Sequence, residues 1–401
     1  MLVGGIECPD DPLSRAGQHF TISVRAMRRY TNNMSRKLRV GIIGAGAIGT
    51  RSHLPGYQRD PRTEVVALCD PNKDRARAIA DEHNIPRIFT DYREMLRVAE
   101  LDLVSVCTPN ALHAPITITA LEAGVHVLCE KPMARTMAEA QAMVSAANRT
   151  GCKLTIGFHN RFRPPSVALK AFVDGGLLGE IYYIAISMLR RSGIPGYGSW
   201  FTSKEMAGGG ALIDAGVHGL DLALWFMGHP RPVSVLGVTF SEFGPRRKGL
   251  GGWGADILAG DQQFDVEDLA VAMVRFENGA VVTIETSWAG YSVTHERLQL
   301  FGQAGGAELD LSYHEVERRL RVFTDLEDHP VEVFPILDGP AVSGHARLIE
   351  DFVDSIIEDR EPVVTPEQGL LVTEIVDGIY QSAQSGKEMG FKSGGVYEAG
   401  L

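Results

Sequence analysis

The sequence has 401 residues, of which 44% are hydrophobic and 22% charged, a composition typical of a globular chain long enough for two or more domains. Its formal net charge is −11, which argues against a nucleic-acid partner because such binding relies on clustered Lys and Arg. No apolar run looks long enough to cross a bilayer, and the five cysteines contain no CxxC pair, so we expect no membrane partner and free thiols in a reducing, cytoplasmic setting.

The first 36 residues are mixed and irregular, and we expect the folded part to begin at Lys37. We do not expect Arg28-Arg29 to form an export signal, because the apolar run that follows is the first expected strand rather than a signal's apolar segment. Met34 offers an alternative start, so the extension is interpreted as a start-site artefact or a disordered arm. An arm that embraces a neighbouring subunit is the third interpretation.

A glycine-rich turn follows the first predicted strand, Leu38 to Ile43. In the run Gly44-Ala45-Gly46-Ala47-Ile48-Gly49 the first glycine permits a tight turn, the second lets backbone approach a pyrophosphate and the third lets helix and strand pack closely. A second strand, Thr63 to Cys69, ends in Asp70, about 20 residues further on, where a carboxylate binds the ribose hydroxyls. This pattern predicts a dinucleotide site that prefers NAD, and Arg75 leaves NADP use open.

Apolar β-like runs alternate with helical patterns from Lys37 to about Phe158, which predicts a doubly wound parallel sheet of the Rossmann type. Further strands are expected at Leu103 to Cys107, Val125 to Cys129 and Lys153 to Phe158, and helices near Lys73 to His83, Asp91 to Arg97, His113 to Ala123 and Thr136 to Thr150. Ligands of such sheets bind at the carboxyl ends of the strands.

Polar residues follow two of these strands. Thr108, Asn110 and His113 come after one, and Glu130-Lys131 comes after the next. A charged pair at the end of a buried strand is costly to desolvate unless it is paired or faces a ligand. A ligand contact and an ordinary solvated loop are both open interpretations.

Strands dominate beyond a helical piece that ends at Asp174, which predicts a second domain of the α+β kind with an open, mostly antiparallel sheet. The strands are expected at Ile181 to Leu189, Val233 to Phe240, Leu269 to Phe276, Ala280 to Trp288 and in shorter runs to about Phe334, with two closing helices at His345 to Glu358 and Pro366 to Ser385. Asn278-Gly279 predicts a hairpin turn. The expected domains are therefore residues 37–158 and 159–401.

One helix interrupts this β region, opening at Gly208 to Gly210 and ending by Gly228. It is apolar almost all round, so we expect it to be buried. Its polar residues Asp214, His218 and Asp221 fall on one strip at spacings of four and three, and a carboxylate beside an imidazole favours a general base. A satisfied core histidine is the plainer alternative. Zinc is disfavoured because no third ligand has suitable spacing, so no metal is predicted.

Together these motifs resemble the glucose-fructose oxidoreductase, inositol dehydrogenase and rhizopine catabolism (Gfo/Idh/MocA) family, from about Lys37 to the C-terminal helices. The motifs that carry the resemblance are GxGxxG, Thr108-Pro109-Asn110, Glu130-Lys131-Pro132 and the glycine-rich entry to Asp214, His218 and Asp221. The resemblance implies an NAD(P)-binding Rossmann domain, a C-terminal domain whose open sheet forms subunit interfaces in a homodimer or homotetramer, and oxidation or reduction of a sugar or cyclitol hydroxyl.

The resemblance also implies roles for individual residues. His218 takes the proton of a ring hydroxyl as hydride leaves the same carbon, Asp214 orients His218 and holds substrate, and Lys131 stabilises negative charge on the oxygen. The implied cofactor-binding residues are Gly44, Gly46, Ala47, Ile48, Gly49, Asp70, Thr108, Asn110, His113, Glu130 and Lys131. The implied substrate-binding residues are Lys131, Arg161, Asp214 and His218, and the residues Tyr197 and Trp200 are expected either to face the sugar ring or to belong to the core.

Two features depart from a minimal member, namely the N-terminal extension and the loop Ser241 to Gln263, which is interpreted as a solvated insertion, a flap over the sugar site or an arm to another subunit. Two other functions stay open. One is an enzyme that keeps NAD bound and uses transient oxidation for epimerisation, elimination or glycoside cleavage. The other is a non-catalytic NAD-binding sensor, which Lys131, Asp214 and His218 together disfavour.

Overall fold

The computed structural model describes residues 36–252, 264–312, 320–337, 342–392 and the strand Tyr397–Ala399. The predicted N-terminal extension, apart from Arg36, and the second half of the 241–263 loop lie outside the described residues. Residues Lys37–Leu401 form one compact unit.

Six parallel strands form the first sheet, in the order β3-β2-β1-β4-β5-β6. They are β1 (Leu38–Ile43), β2 (Thr63–Cys69), β3 (Arg87–Phe89), β4 (Leu103–Val106), β5 (His126–Cys129) and β6 (Leu154–Ile156). The order reverses between β1 and β4, which places a ligand crevice at the carboxyl ends of these two strands. The predicted doubly wound parallel sheet is thus confirmed, with β3 as an additional edge strand of three residues.

Helices cover both faces of this sheet. They are α1 (Leu54–Arg59), α2 (Lys73–His83), α3 (Tyr92–Val98), α4 (His113–Glu122) and α5 (Met137–Thr150), with 3-10 turns at Asn110–Leu112 and His159–Phe162. A π turn, Gly49–His53, connects the glycine-rich turn to α1, and its backbone is wound more widely than that of an α-helix. We call it the first π turn.

Ten strands form the second sheet, in the order β14-β13-β12-β11-β7-β10-β9-β8-β15-β16. They are β7 (Ile181–Leu189), β8 (Pro232–Phe240), β9 (Leu269–Phe276), β10 (Val281–Ser287), β11 (His295–Gly302), β12 (Gly305–Asp310), β13 (Leu320–Leu326), β14 (His329–Val333), β15 (Met389–Phe391) and β16 (Tyr397–Ala399). The predicted hairpin joins β9 and β10, and Gly279 has φ +84° in its turn. β7 and β10 run parallel, whereas the other described neighbours are antiparallel, so the predicted open, mostly antiparallel sheet is confirmed.

The helices of the second half are α6 (Pro164–Asp174), α7 (Lys204–Ala207), α8 (Val217–Met227), α9 (Gly344–Ile357) and α10 (Pro366–Ser385). A second π turn, Leu212–Gly216, leads directly into α8, and Gly228 ends α8 in the left-handed conformation, as predicted for a C-cap.

The stretch Lys204–Met227 is, by length and composition alone, long and apolar enough to cross a membrane, which corrects the expectation that no apolar run has this length. Of its most apolar window, 78% is buried inside the molecule, as in a helix of a protein core. Leu220, Leu222 and Leu224 are fully buried, and α8 packs so closely on the second sheet that a Cβ at Gly219 would lie 2.5 Å from Ile186.

The opposite face of the second sheet carries an exposed apolar patch. Leu236 and Val238 of β8 lie beside Met273 and Val271 of β9, and all four side chains are exposed. We call these four residues, together with Phe240, the outer sheet patch.

Candidate active site

The glycine-rich turn has the geometry that close approach of a phosphate group requires. Gly44 has φ +104°, and a Cβ there would lie 2.3 Å from the carbonyl oxygen of Cys107. A Cβ at Gly49 would lie 2.4 Å from the carbonyl oxygen of Gly44, so this glycine permits close packing within the turn. At Gly46, by contrast, no described atom lies within 4 Å of the Cβ position. The space beside Gly46 is therefore open to a ligand.

Asp70 ties the end of β2 to this turn. Its Oδ2 accepts a hydrogen bond from the Ala45 amide at 2.9 Å, and its Oδ1 accepts one from the Asn72 amide at 2.9 Å. The guanidinium of Arg75 lies 3.9 Å from Oδ2. The carboxylate thus sits at the edge of the crevice, at the position predicted for a ribose contact.

Asn110 and His113 brace the wall of the crevice. Asn110 donates a hydrogen bond to the carbonyl oxygen of Ala207 at 2.8 Å, and the ring nitrogens of His113 lie 2.7 Å and 2.9 Å from the carbonyl oxygens of Pro132 and Thr108. These polar atoms are therefore occupied within the protein. The hydroxyl of Thr108 is buried and has no hydrogen-bond partner among the described residues, which leaves it available to a ligand.

Lys131 and Asp214 form an ion pair across the two sheets. The Nζ atom of Lys131, at the end of β5, donates to Oδ1 of Asp214 at 3.0 Å and to its carbonyl oxygen at 2.9 Å. The indole of Trp288 donates to Oδ2 at 2.9 Å. Burial alone would raise the pKa of Asp214, but the charges of Lys131 and Arg190 and the hydrogen bonds from Lys131 and Trp288 lower it. Asp214 is therefore an ionised carboxylate with both oxygens engaged.

His218 lies in the same region but does not bond to Asp214 within the described part of the chain, so the predicted carboxylate–imidazole contact is wrong. The prediction assumed a regular helix, whereas the second π turn inserts a wider coil between the two residues and changes their relative phase. The Nδ1 atom of His218 is buried without a described partner, which leaves Nε2 to meet a substrate. Burial, followed by the charge of Lys131, lowers the pKa of His218, so the ring is neutral at pH 7.

Arg161 and Asp221 form a separate buried pair. The guanidinium of Arg161 contacts both oxygens of Asp221, at 2.6 Å to 3.1 Å, and donates to Gln368 at 2.6 Å. The side chains of Arg161 and Asp221 are 0% and 1% exposed. The predicted substrate contact of Arg161 and the predicted pairing of His218 with Asp221 are therefore both corrected, because each partner is already taken inside the core.

The two predicted aromatic contacts differ. The side chain of Tyr197 is buried and its hydroxyl donates to the carbonyl oxygen of Lys248 at 2.6 Å, so it belongs to the core rather than to a sugar-facing surface. Trp200 is half-buried and stacks on Phe201 with ring centroids 3.7 Å apart. Its contact with a sugar stays a prediction.

Four further residues shape the site without having been predicted. Trp288 holds Asp214, and buried Glu267 accepts hydrogen bonds from the Gly210 and Leu212 amides at 2.8 Å and 2.9 Å, where the second π turn begins. His159 lies edge-on to His218, and His345 stacks on His159. These contacts join residues that are far apart in the chain, so no local sequence spacing predicts them. Among the described residues, no three or more His, Cys, Asp or Glu side chains are grouped so that they could hold a metal ion.

Comparison with known families gives two matches. Residues 38–158 match the model described as "Oxidoreductase family, NAD-binding Rossmann fold", and residues 166–308 match the "GFO/IDH/MocA C-terminal domain". Together they cover both sheets up to β11 and part of β12.

Among similar proteins, D-glucoside 3-dehydrogenase of Escherichia coli is 35% identical over 88% of this chain and 97% of that protein. Levoglucosan dehydrogenase of Pseudarthrobacter phenanthrenivorans is 30% identical over 87% of this chain and 96% of its own length. The solved structure of a levoglucosan dehydrogenase in complex with NADH and L-sorbose matches this chain with a TM-score of 0.76 at 27% identity, covering 88% of this chain and 99% of that one.

Proposed function

Because the chain belongs to the Gfo/Idh/MocA oxidoreductase family, we propose that it is an NAD-dependent dehydrogenase that oxidises a ring hydroxyl of a sugar, a glycoside or a cyclitol. The family match makes it an oxidoreductase with an NAD-binding Rossmann domain. The observation that carries the proposed reaction is the Lys131–Asp214 ion pair beside His218, at the carboxyl end of the strand that follows the β1/β4 crevice.

The residues of the crevice fit NAD. The open space at Gly46 admits a pyrophosphate, the carboxylate of Asp70 suits a ribose diol, and the unpartnered hydroxyl of Thr108 offers a hydrogen bond beyond the end of β4. When bound, NAD supplies the hydride acceptor. Asp70 would repel a 2′-phosphate, so we propose a preference for NAD, with Arg75 as the residue that permits some NADP use.

In this proposal His218 is the general base. Its ring is neutral at pH 7 because burial and the charge of Lys131 lower its pKa, and a neutral imidazole is able to accept the hydroxyl proton as the carbon loses hydride. An alcohol is too weak an acid for an unassisted imidazole. The ammonium of Lys131, which Asp214 fixes in place, stabilises the negative charge that develops on the oxygen.

The substrate class is proposed from the relatives. D-glucoside, levoglucosan and myo-inositol appear in the names of similar dehydrogenases, and all three present ring hydroxyls on saturated rings. We therefore propose a glycoside or anhydro sugar first and an inositol second. We also propose a cytoplasmic homodimer or homotetramer, and a division into a cofactor domain at 37–158 and a substrate and oligomerisation domain at 159–401.

The test is NADH formation by the purified chain with NAD and a panel of alkyl glucosides, levoglucosan, inositols and free aldoses, with NADP run alongside. NADH formed with one ring class, and faster with NAD, would support the proposal. If no sugar yields NADH and denatured protein releases nucleotide, the enzyme belongs instead to the type that keeps NAD bound. If nucleotide neither is released nor binds when added, the proposal fails.

His218→Asn assigns the base. We expect turnover to fall at least about 100-fold, as for loss of a general base, while NADH binding measured by fluorescence stays unchanged. His329→Asn, at an exposed position of β14, is the matched control and should keep full activity. Retained turnover in His218→Asn would remove this residue from the mechanism.

A further inference from the structure

A column of imidazole rings leads from His218 into the cofactor domain. The ring of His159 lies edge-on to His218, with centroids 5.1 Å apart and an interplanar angle of 76°. His345 stacks on His159 at 3.7 Å and 17°, and His53 lies a further 6.0 Å from His345. We call these four residues the histidine column. They come from the first π turn, the 3-10 turn after β6, α8 and α9, so tertiary folding alone assembles them.

A buried carboxylate stands at the far end of the column. Oε1 of Glu130 is 2.8 Å from Nε2 of His53 and 3.9 Å from Nε2 of His345, and Oε2 accepts the Lys131 amide at 3.1 Å. Burial alone would raise the pKa of Glu130, but the hydrogen bond from His53 and the electrostatic influence of His53, His345 and His159 lower it to about 2. Glu130 is therefore a fixed negative charge. A Cβ at Gly157 would lie 2.9 Å from this carboxyl group, so the carboxylate fills the space that a side chain at this glycine would take.

The rings between His218 and Glu130 are neutral and have free nitrogen atoms. Burial comes first among the causes that lower the pKa of His159 and of His345, the latter to about 4. Three rings have charged or titratable neighbours. Lys131 and Arg190 lie near His218. His159 is surrounded by His345, Glu130 and Lys131, and His345 is surrounded by Glu130, His53 and Lys131.

Nδ1 of His218, Nδ1 of His159 and Nε2 of His345 are buried and lack a hydrogen-bond partner in the described structure. Buried polar atoms are normally paired, so such nitrogen atoms are expected to bind ordered water. Asp214 and Asp221, the carboxylates predicted to serve His218, are engaged with Lys131, Trp288 and Arg161 instead. Since both carboxylates are engaged elsewhere, the histidine column is the set of polar groups that lies next to His218 on its buried side.

We propose that the histidine column carries the proton that His218 takes from the substrate, with the carboxylate of Glu130 as its counter-charge. This inference rests on the proposed dehydrogenase function. The substrate O–H bond breaks and an N–H bond forms on His218, while hydride leaves the carbon for NAD. His218 then passes a proton to His159, and His159 to His345, each time through bound water, and each ring loses one N–H bond as the next gains one. His345, whose side chain is 14% exposed, then loses a proton to solvent water, which returns the column to its neutral state. His159 and His345 act through His218 and are therefore positioning residues.

His159→Phe and His345→Phe separate proton transfer from packing, because phenylalanine keeps an aromatic ring and removes the nitrogen atoms. We expect each variant to form NADH in the first turnover at the parental rate, since His218 still accepts that proton. Later turnovers should slow by about tenfold or more, with a larger solvent deuterium isotope effect and partial rescue by added imidazole. Steady-state rates within twofold of the parent in both variants, with no change in isotope effect, would overturn the proposal.

A second measurement does not depend on turnover. Titration of isotope-labelled histidine by NMR should show that His159→Phe and Glu130→Gln each move the protonation midpoint of His218, whereas the exposed control His329→Phe does not. If the protonation midpoint of His218 is the same in all of these variants as in the parent, the proposed proton transfer through the column is wrong, while the dehydrogenase function is unaffected. Coupled titration without NADH formation on any sugar would overturn the function and retain the coupled rings.

Discussion

Trp288 links the hydrophobic core to the charged centre of the site. It is fully buried in a small cluster with Ile194, Tyr197 and Ala211, and its indole N–H donates to Asp214. Because Lys131 holds the other oxygen of that carboxylate, the position of the ammonium depends on an indole that is itself fixed by packing. A positioning contact of this kind controls the geometry of the charge that faces the reacting oxygen.

We expect Trp288→Phe to lower kcat by about tenfold, which corresponds to about 1.4 kcal/mol, because Asp214 loses a hydrogen bond and Lys131 loses its fixed position. NADH affinity, measured by fluorescence titration, should stay unchanged. Trp225→Phe is the control, since Trp225 lies on α8 beside Arg161 and Lys170. An unaltered kcat in Trp288→Phe would show that Lys131 alone fixes the carboxylate.

The residues of the site were predictable in kind but not in pairing. Lys131 and Asp214 were both named as site residues, but their ion pair was not predicted; the structure pairs them because neither charge is buried cheaply without a partner. The pairing of Asp214 with His218 was wrong because a helical wheel assumes a constant turn, and a π turn inside an apolar run has no recognised sequence signal. Arg161 was predicted to contact substrate because its partner Asp221 lies 60 residues away, and no local sequence pattern indicates that the two residues pair.

The glycine-rich turn allows function and folding to be separated. We expect Gly46→Ala to fold normally, because its Cβ meets no described atom, and to weaken NADH binding by about tenfold or more, because the methyl group stands where a phosphate would approach. Gly49→Ala should instead lower the melting temperature, since its Cβ would lie 2.4 Å from the carbonyl oxygen of Gly44. Fluorescence titration and thermal unfolding of both variants check this. Equal loss of stability in the two variants would contradict the assignment.

The regular elements were the most predictable part. Each predicted strand of the first sheet appears within a few residues of its expected bounds, because alternation of apolar strands with helical patterns is a strong signal. β3 was missed because it has three residues and lies at the sheet edge. The parallel pairing of β7 with β10 was missed because adjacent strands in the chain were assumed to be neighbours, and the intervening α8 breaks that rule.

Buried histidines should make the stability of the molecule depend on pH. Burial lowers the pKa of His126 and His345 from the ordinary 6.5 to about 4, so the folded state binds fewer protons than the unfolded chain between these values. The free energy of unfolding is therefore expected to fall as pH decreases from about 6.5 to about 4. Below about pH 4.3, protonation of Glu130 in the unfolded chain adds a further loss.

Chemical denaturation at a series of pH values checks this dependence. His126→Gln should flatten the acid slope, because it removes one proton-binding group of the unfolded state while an amide oxygen can still accept the Lys153 amide that His126 binds at 2.9 Å. A slope identical to that of the parent would contradict the assignment of His126 as a neutral folded-state histidine.

The outer sheet patch is the surface on which we expect subunits to meet. Val238 and Val271 lie opposite each other on β8 and β9, with exposed fractions of 46% and 36%. A double change to Val238→Lys and Val271→Lys places two like charges there and should shift a dimer or tetramer toward smaller species in sedimentation velocity. Leu326→Lys, at an exposed position of β13, is the control and should leave the assembly unchanged. A monomeric parent would contradict the proposed assembly itself.

The parallel pairing at the centre of the second sheet has a consequence for synthesis of the chain. Tyr183 of β7 pairs with Val281 of β10, and Leu298 of β11 pairs with Ile186 of β7, so both neighbours of β7 leave the ribosome about a hundred residues after it. In that interval α8 has been made, but much of the sheet that buries its apolar surface does not yet exist. A nascent chain that ends near Gly228 is therefore a strong client for chaperones, and one that extends past Gly302 is able to close the sheet over its own helix.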